Sequence, residues 1–338
     1  MRILITGGTG YVGSHCAVGL LNQNHDVVVL DNLSNSYKEV VQKIETITKD
    51  SITFFQGDVN NTSLLNTIFT TSHIDAVIHC AGLKAVSESI QEPEKYHQNN
   101  VEGAKNLINA MHENKVFNLV FSSSATVYGD PQYLPIDEEH PINPLHPYGS
   151  NKILIEKLLK EQTLRNSEWK VLSLRYFNPI GSHHSSLIGD SPSGHPNNLL
   201  PYIMQVASNL RPELQIFGND YPTLDGTGLR DYIHIIDLAA GHIAALNYLF
   251  RMDGHSNFDA LNLGTGTSHS VLQVVKTFEE IADRKIPYVF SDRREGDITE
   301  SYADVSKAKL LLNWHAELSL EDMCLSAWKF QKNLMLNA

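Results

Sequence analysis

The sequence is poor in the features that mark several large classes of protein. Its three cysteines, Cys16, Cys80 and Cys324, are odd in number, widely spaced and free of any C-x-x-C pattern. That argues against a disulfide framework and a thiolate metal site. No apolar run reaches the roughly 18 residues that a membrane span needs. The start, MRILITGG, lacks the charged, apolar and small-residue regions of a secretion signal. The expectation is a soluble cytoplasmic protein with no membrane partner. There is no Lys/Arg block, and 26 basic residues stand against 38 acidic ones for a formal net charge of -12. Nucleic acid is therefore not an expected partner, and an anionic ligand must be held by a few local cations and backbone dipoles. The sixteen histidines form no H-E-x-x-H. His183-His184 falls in the polar run GSHHSSLIGDSPSGHPNN and reads as a pair of solvated loop histidines, so no metal is expected.

What is present suits an ordinary globular protein. The 338 residues allow two domains, or one large domain with a lobe, and 42% hydrophobic with 19% charged residues excludes a disordered chain. Apolar strand-like runs alternate with helix-like stretches through the first half: RILIT, DVVVLD, ITFFQGD, AVIHCAG, NLVFSSS and WKVLSLRYFN. Strand–helix alternation with continuously apolar strands predicts an α/β fold, a doubly wound parallel sheet covered on both faces. After Asn178 the texture changes to Pro, Gly, Asn and Ser. A first domain is therefore expected over 1–177, with a smaller C-terminal α/β lobe over 178–338. The regular run DYIHIIDLAAGHIAALNYLF suggests that about 231–264 rejoins the first domain.

The first strand runs into TGGTGYVG, with Gly7, Gly10 and Gly13 at a strand-to-helix turn. Glycine permits close approach of backbone to a diphosphate, and the following helix points free N–H groups at that anion. A glycine-rich turn alone is weak; its place between the first strand and the first helix gives it meaning. Asp31 ends the second strand, eighteen residues after Gly13. A carboxylate there suits the adenosine ribose hydroxyls and repels a 2′-phosphate, which favours NAD over NADP. The competing reading of Asp31 is a helix N-cap before NLSNS. Asp58, ending the third strand, is placed to meet the adenine edge.

The stretch YGSNK sets Tyr148 and Lys152 four residues apart, on one face of a helix. Ser122 to Ser124 close a strand some two dozen residues earlier, at the end of the sheet where ligands bind. This Ser…Tyr-x-x-x-Lys set, with the TGGTGYVG loop, resembles the extended branch of the short-chain dehydrogenase/reductase superfamily, whose nucleotide domain is Rossmann-like. A free tyrosine has a pKa of about 10; an ammonium and a nicotinamide cation beside it are expected to bring the phenol near 7, a change of about 4 kcal/mol. Tyr148 then serves as base, Ser124 orients or relays, and Lys152 also holds the nicotinamide ribose.

The motifs TGGTGYVGSH, DNLSNS, HCAGLKAV, FSSSATVYGD, RYFNP, PNNLLPYI, IFGNDYPTLDGTGLRDYIH and RREGD occur in this order over essentially the whole chain. Together they resemble the UDP-glucose/UDP-galactose 4-epimerase family. The resemblance implies a redox cycle without net redox: oxidation at carbon 4 of the hexose, rotation of the keto sugar, and return of hydride to the other face. It places cofactor contacts on Tyr11, Val12, Asp31, Asn32, Leu33, Ser34, Asn35, Ser36, Asp58, Val59, Cys80, Ala81, Gly82, Leu83, Lys84, Asn99, Ser122, Ser124, Tyr148, Lys152 and Phe177. It places UDP-hexose contacts on Ser124, Tyr148, Asn178, Asn198, Leu199, Gln215, Ile216, Phe217, Arg230, Arg294, Asp297 and Ser301. Arg230 and Arg294 are planar donors of the kind that grip a diphosphate. The resemblance also implies a homodimer. Where the family often carries Y-G-x-S-K, this chain has Ser150-Asn151, expected to point away from the Tyr–Lys face. Ser301 stands where some epimerases carry tyrosine, so space for an N-acetyl group is expected. A 4,6-dehydratase is disfavoured, since its T-D-E run is replaced by Ser124-Ala125-Thr126. A UDP-glucuronate epimerase or decarboxylase lacks a clear basic contact here, and a non-catalytic NAD-binding scaffold has no need of Tyr148 and Lys152.

Overall fold

The computed structural model describes all residues except 192–195, 197, 253–256, 295 and 337–338. The first part of the chain runs β1 (Arg2–Thr6), α1 (Tyr11–Leu21), β2 (Asp26–Asp31), α2 (Glu39–Thr48), β3 (Thr53–Gln56), α3 (Thr62–Ser72), β4 (Ala76–His79), α4 (Val86–Gln91), α5 (Pro93–Tyr96), a π-turn (His97–Glu102), α6 (Gly103–Glu113), β5 (Asn118–Ser122), a 3-10 turn (Ala125–Val127), α7 (Pro147–Arg165) and β6 (Lys170–Tyr176). There follow β7 (Asn178–Ile180), α8 (Leu199–Ala207), β8 (Leu214–Phe217), β9 (Leu229–His234), α9 (Ile235–Leu249), β10 (Phe258–Leu263), β11 (Ser268–Ser270), α10 (Val271–Ala282), β12 (Tyr288–Ser291), β13 (Glu300–Ser301), α11 (Ser306–Leu312) and α12 (Leu320–Leu336).

Among the described residues the main sheet has the order β3-β2-β1-β4-β5-β6-β10, and all of its pairings are parallel. Strands β1, β2, β4 and β5 read as apolar runs because both faces are covered. Along β1, Ile3 and Ile5 join the core under α1 and α9, while Leu4 faces the opposite core with α3, α6 and α7. The period of two thus divides one strand between two cores. Helix α9 lies close on α1: a Cβ added to Gly19 meets Ile243 Cδ1 at 2.4 Å. The strand order reverses at β1, between β2 and β4, which opens a crevice beyond their C-terminal ends.

The second part builds a smaller sheet. In it β9 pairs with β11 antiparallel and with β13 and β7 in parallel, and β8 with β12 forms a parallel ribbon. Strand β10 joins the main sheet beside β6, and α9 packs on its core. No described helix is long and apolar enough to cross a membrane.

Candidate active site

Tyr148 and Lys152 owe their placement to the start of α7. Pro147 occupies the first turn, where its missing N–H costs nothing, and the His146 ring accepts from Gly149 N at 3.2 Å. Ser89 of α4 accepts from Tyr148 N at 3.3 Å. The approach to the 3-10 turn is tight, since a Cβ on Gly149 meets Thr126 O at 2.8 Å. Tyr148 is 7% exposed and Lys152 is buried. Lys152 Nζ donates to Ser122 O at 2.7 Å and lies 5.6 Å from the centre of the Tyr148 ring. Ser124 caps the 3-10 turn, its hydroxyl accepting from Thr126 N at 3.2 Å.

The electrostatics show what the protein groups do by themselves. Burial pushes the Tyr148 phenol up to about 12, and the hydrogen bond with Ser124 only partly opposes that. Burial also pushes Lys152 down to about 8. Protein groups alone thus hold Tyr148 as a neutral phenol rather than near 7. Desolvation outweighs the Ser124 hydrogen bond at Tyr148 and the charges of Cys80 and Glu156 at Lys152, and a positive charge brought beside the phenol favours the phenolate.

The glycine turn forms a cradle. Gly7 has φ +70°, and a Cβ there meets Ala81 N at 2.8 Å. A Cβ on Gly13 meets Gly7 O at 2.2 Å, so α1 and the turn come together only with glycine in both places. Gly10 is the N-cap of α1 and no side chain caps the helix, so Tyr11 and Val12 present a first turn free of side-chain competition. Asp31 is not a helix cap, since α2 starts at Glu39. Its Oδ2 accepts from Thr9 N at 3.0 Å and its Oδ1 from Leu33 N at 2.9 Å and Ser36 Oγ at 3.1 Å, which folds residues 32–36 over the glycine turn. Asp58 accepts from Asn32 Nδ2 at 2.7 Å and Asn60 N at 2.8 Å, next to buried Val59. The residues Cys80 to Lys84 follow β4. Cys80 Sγ lies 3.1 Å from Ser122 Oγ, which in turn lies 2.8 Å from His242 Nε2. Asn99 is half-buried in the π-turn, and Phe177 packs with Val127, Tyr128, Ile153 and Ala303.

Apart from Ser124 and Tyr148, the residues assigned to UDP-hexose lie on the second part. Asn178 begins β7, Asn198 is the N-cap of α8 and donates to Asp190 at 2.8 Å, and Leu199 follows it. Gln215, Ile216 and Phe217 lie on β8; Gln215 donates to Ser291 Oγ at 2.8 Å, and the Arg294 guanidinium stacks 3.8 Å from the Phe217 ring. Arg230 pairs with Asp297. Ser301 is 7% exposed and stands in register with Arg230. Two bridges join the halves. Tyr11 donates to Gly181 O at 2.7 Å, and Lys84 lies 3.7 Å from Asp190, the partner of Asn198. The cluster of Phe177, Ile153 and Ala303 ties α7 to the segment after β13.

Asn151 is buried, and its Nδ2 has no protein partner among the described residues. Other residues depart from the sequence reading. His183 is not a solvated loop histidine, because the loop folds back through His183 N to Ile188 O at 3.1 Å and the ring packs on His15 and His184. Asn100, not singled out by the sequence, pins Leu83 through both its amide atoms at 2.8 and 3.0 Å. Glu156 and Ser123 were also missed; Glu156 lies two turns beyond Tyr148, a spacing that does not by itself set it apart from a solvated glutamate.

A family model described as GDP-mannose 4,6 dehydratase matches residues 4–326. A UDP-glucose 4-epimerase from Pasteurella multocida is 52% identical over 333 residues, covering 98% of each chain. Among solved structures, a UDP-glucose 4-epimerase from Bifidobacterium longum in complex with NAD+ and UDP is 42% identical, with a TM-score of 0.95 and 98% of both chains covered. One from Stenotrophomonas maltophila, with bound NAD and formylated UDP-arabinopyranose, is 44% identical, with a TM-score of 0.96 and both chains covered in full. With that similarity running along the whole site, the chain belongs to the UDP-glucose 4-epimerase family.

Proposed function

We infer that the chain is an NAD-dependent isomerase that inverts carbon 4 of UDP-hexoses, taking UDP-galactose to UDP-glucose through a 4-keto intermediate. The observation that carries this is the buried Tyr148–Lys152 pair at the C-terminal edge of the parallel sheet, its ammonium tied to the Ser122 carbonyl at 2.7 Å. The residues present fit the cofactor, because the close-packed glycine turn leads into the α1 N-terminus with no side chain capping its first-turn N–H groups. When bound, NAD supplies reversible hydride acceptance and a positive charge beside the phenol.

In this reading Gly7, Gly10 and Gly13, with the amides of Tyr11 and Val12, hold the diphosphate. The loop Asp31 to Ser36, with Asp58 and Val59, holds the adenosine. Cys80 to Lys84, Asn99, Ser122 and Phe177 line the remaining length, and Lys152 holds the nicotinamide ribose. Tyr148 removes the proton of the carbon 4 hydroxyl and returns it after the keto sugar has turned; Ser124 orients that hydroxyl. Asn178, Asn198, Leu199, Gln215 to Phe217, Arg294 and Arg230, the last positioned by Asp297, anchor UDP so that the hexose is free to turn. The cofactor half comprises 1–177 rejoined by about 231–264, and the sugar half mainly 178–338.

Purified protein given UDP-galactose and no cofactor is expected to form UDP-glucose, and Tyr148→Phe to lower kcat by about a hundredfold or more. Absence of either epimer even with NAD supplied overturns the reading.

Two finer features belong to this proposal. Ser301 is small and buried, so the sugar pocket admits an N-acetyl group at carbon 2, and UDP-GlcNAc and UDP-GalNAc are also substrates. The protein acts in the cytoplasm, in keeping with three free cysteines, and as a homodimer joined through the outer face of α7.

A further inference from the structure

Glu156 lies one turn beyond Lys152 and two beyond Tyr148, on the same face of α7. It is 4% exposed. Its Oε1 accepts from the Ser123 hydroxyl at 2.6 Å, the Ser173 hydroxyl at 2.8 Å and Arg175 Nε at 3.1 Å. Its Oε2 accepts from Arg175 Nη2 at 2.7 Å. Arg175 Nη1 donates on to the Tyr128 hydroxyl at 3.1 Å, which donates to Asn262 Oδ1 at 2.7 Å. One carboxylate on α7 is thereby joined to the end of β5, to β6 and, through arginine, to β10.

The bond to Ser123 singles this network out. Ser122 before it supplies the carbonyl that holds Lys152 Nζ, and Ser124 after it supplies the hydroxyl beside Tyr148. Glu156 therefore grips the residue between the partners of the two reacting side chains, from the helix that carries both. Stability is a poor reason for a charge so deep. Taking an ion pair out of water is costly, and apolar side chains of similar volume often fill such a site with no loss of stability. The same carboxylate lies close enough to Lys152 to favour its ammonium against burial.

We propose that Glu156 is a positioning residue for the reaction, fixing α7 against the Ser122–Ser124 turn so that Tyr148 and Lys152 meet the substrate and cofactor in one geometry, and holding a negative charge behind the ammonium. This rests on the catalytic reading of Tyr148 and Lys152 above.

The test compares Ser123→Ala, Ser173→Ala, Glu156→Gln and Tyr148→Phe as full chains, measuring kcat and KM for UDP-galactose across pH 6 to 9.5. Ser123→Ala and Ser173→Ala each remove one hydroxyl from the same carboxylate, but only the first frees the serine turn. Ser123→Ala is expected to lower kcat about tenfold or more at unchanged KM, since small misplacement of reacting groups is expensive in rate. Ser173→Ala is expected to keep nearly the parent kcat. Glu156→Gln is expected to move the basic limb of the profile to lower pH, because loss of the carboxylate lowers the Lys152 pKa; Ser123→Ala leaves that limb in place. Equal kcat for the two serine variants overturns the inference, and so does a folded Glu156→Gln protein whose basic limb has not moved. Where Glu156→Gln does not fold, the serine pair decides alone. If Tyr148→Phe keeps the parent kcat, the catalytic reading fails instead, and the inference falls with it.

Discussion

At Ser301 the proposed sugar pocket has one hydroxymethyl group in place of a phenol. The residue is buried and in register with Arg230 on the neighbouring strand, so its side chain has little freedom to swing aside. Ser301→Tyr is expected to cut turnover of UDP-GlcNAc by about a hundredfold or more while leaving UDP-galactose within about threefold, because overpacking a formed pocket costs some 1–3 kcal/mol. Competing initial rates on the two substrates decide it, and equal loss on both sinks the proposed pocket. At this scale the sequence was legible where chemistry imposes spacing. Tyr148 and Lys152 announce themselves by one helical turn, and the glycines by the contacts that a Cβ forbids. Glu156 did not, since a glutamate on a helix reads as a solvated face unless its partners are known, and those come from Ser123, Ser173 and Arg175, 17 to 33 positions away. Asp31 was found, but its grip on Thr9, Leu33 and Ser36 depends on a loop conformation that no pattern specifies.

Helix α7 presents two unlike faces. Its inner face presents Tyr148, Lys152 and Glu156. Its outer face exposes Leu154, Lys157, Glu161 and Leu164, with Leu164 79% and Leu154 40% exposed. The spacing puts these four on one stripe, apolar at both ends and oppositely charged in the middle. A stripe of that kind is self-complementary under a two-fold axis, since the lysine of one copy meets the glutamate of the other. A parent protein of dimer mass, converted to monomer by Leu154→Glu with Leu164→Glu, is the expected result in sedimentation. A dimer that survives both substitutions places the interface elsewhere, and a monomeric parent removes it. Elements of the main sheet were readable because strands covered on both faces must be apolar throughout. The second part was not, because β7, β11 and β13 are only two or three residues long and are defined by pairing with β9 rather than by any periodicity of their own.

The whole molecule carries a consequence of its buried histidines that no single site reveals. Burial lowers His15 and His79 to about 3 and His183, His234 and His242 to about 4. Each is held neutral by the fold, with a ring nitrogen engaged locally, as in His242 to Leu238 O at 2.9 Å and His79 to Thr6 Oγ1 at 2.7 Å. The unfolded chain protonates the same side chains near 6.5. Below that pH the unfolded state binds more protons than the folded one, so stability falls as pH falls, until the folded-state values are reached. Each histidine contributes about 1.4 kcal/mol per pH unit through that window. Asp231, Asp237 and Glu138, raised by burial, work in the opposite direction but are three against five. Even part of the histidine contribution removes several kcal/mol by pH 5, which is comparable with the stability of a whole domain. Urea unfolding followed by tryptophan fluorescence is therefore expected to give a midpoint that drops steeply between pH 7 and 5 and changes little between 7 and 8.5. A midpoint at pH 5 equal to that at pH 7 would show that these rings take up protons in the folded state, and that the buried contacts of His15, His79 and His242 open without loss of the fold.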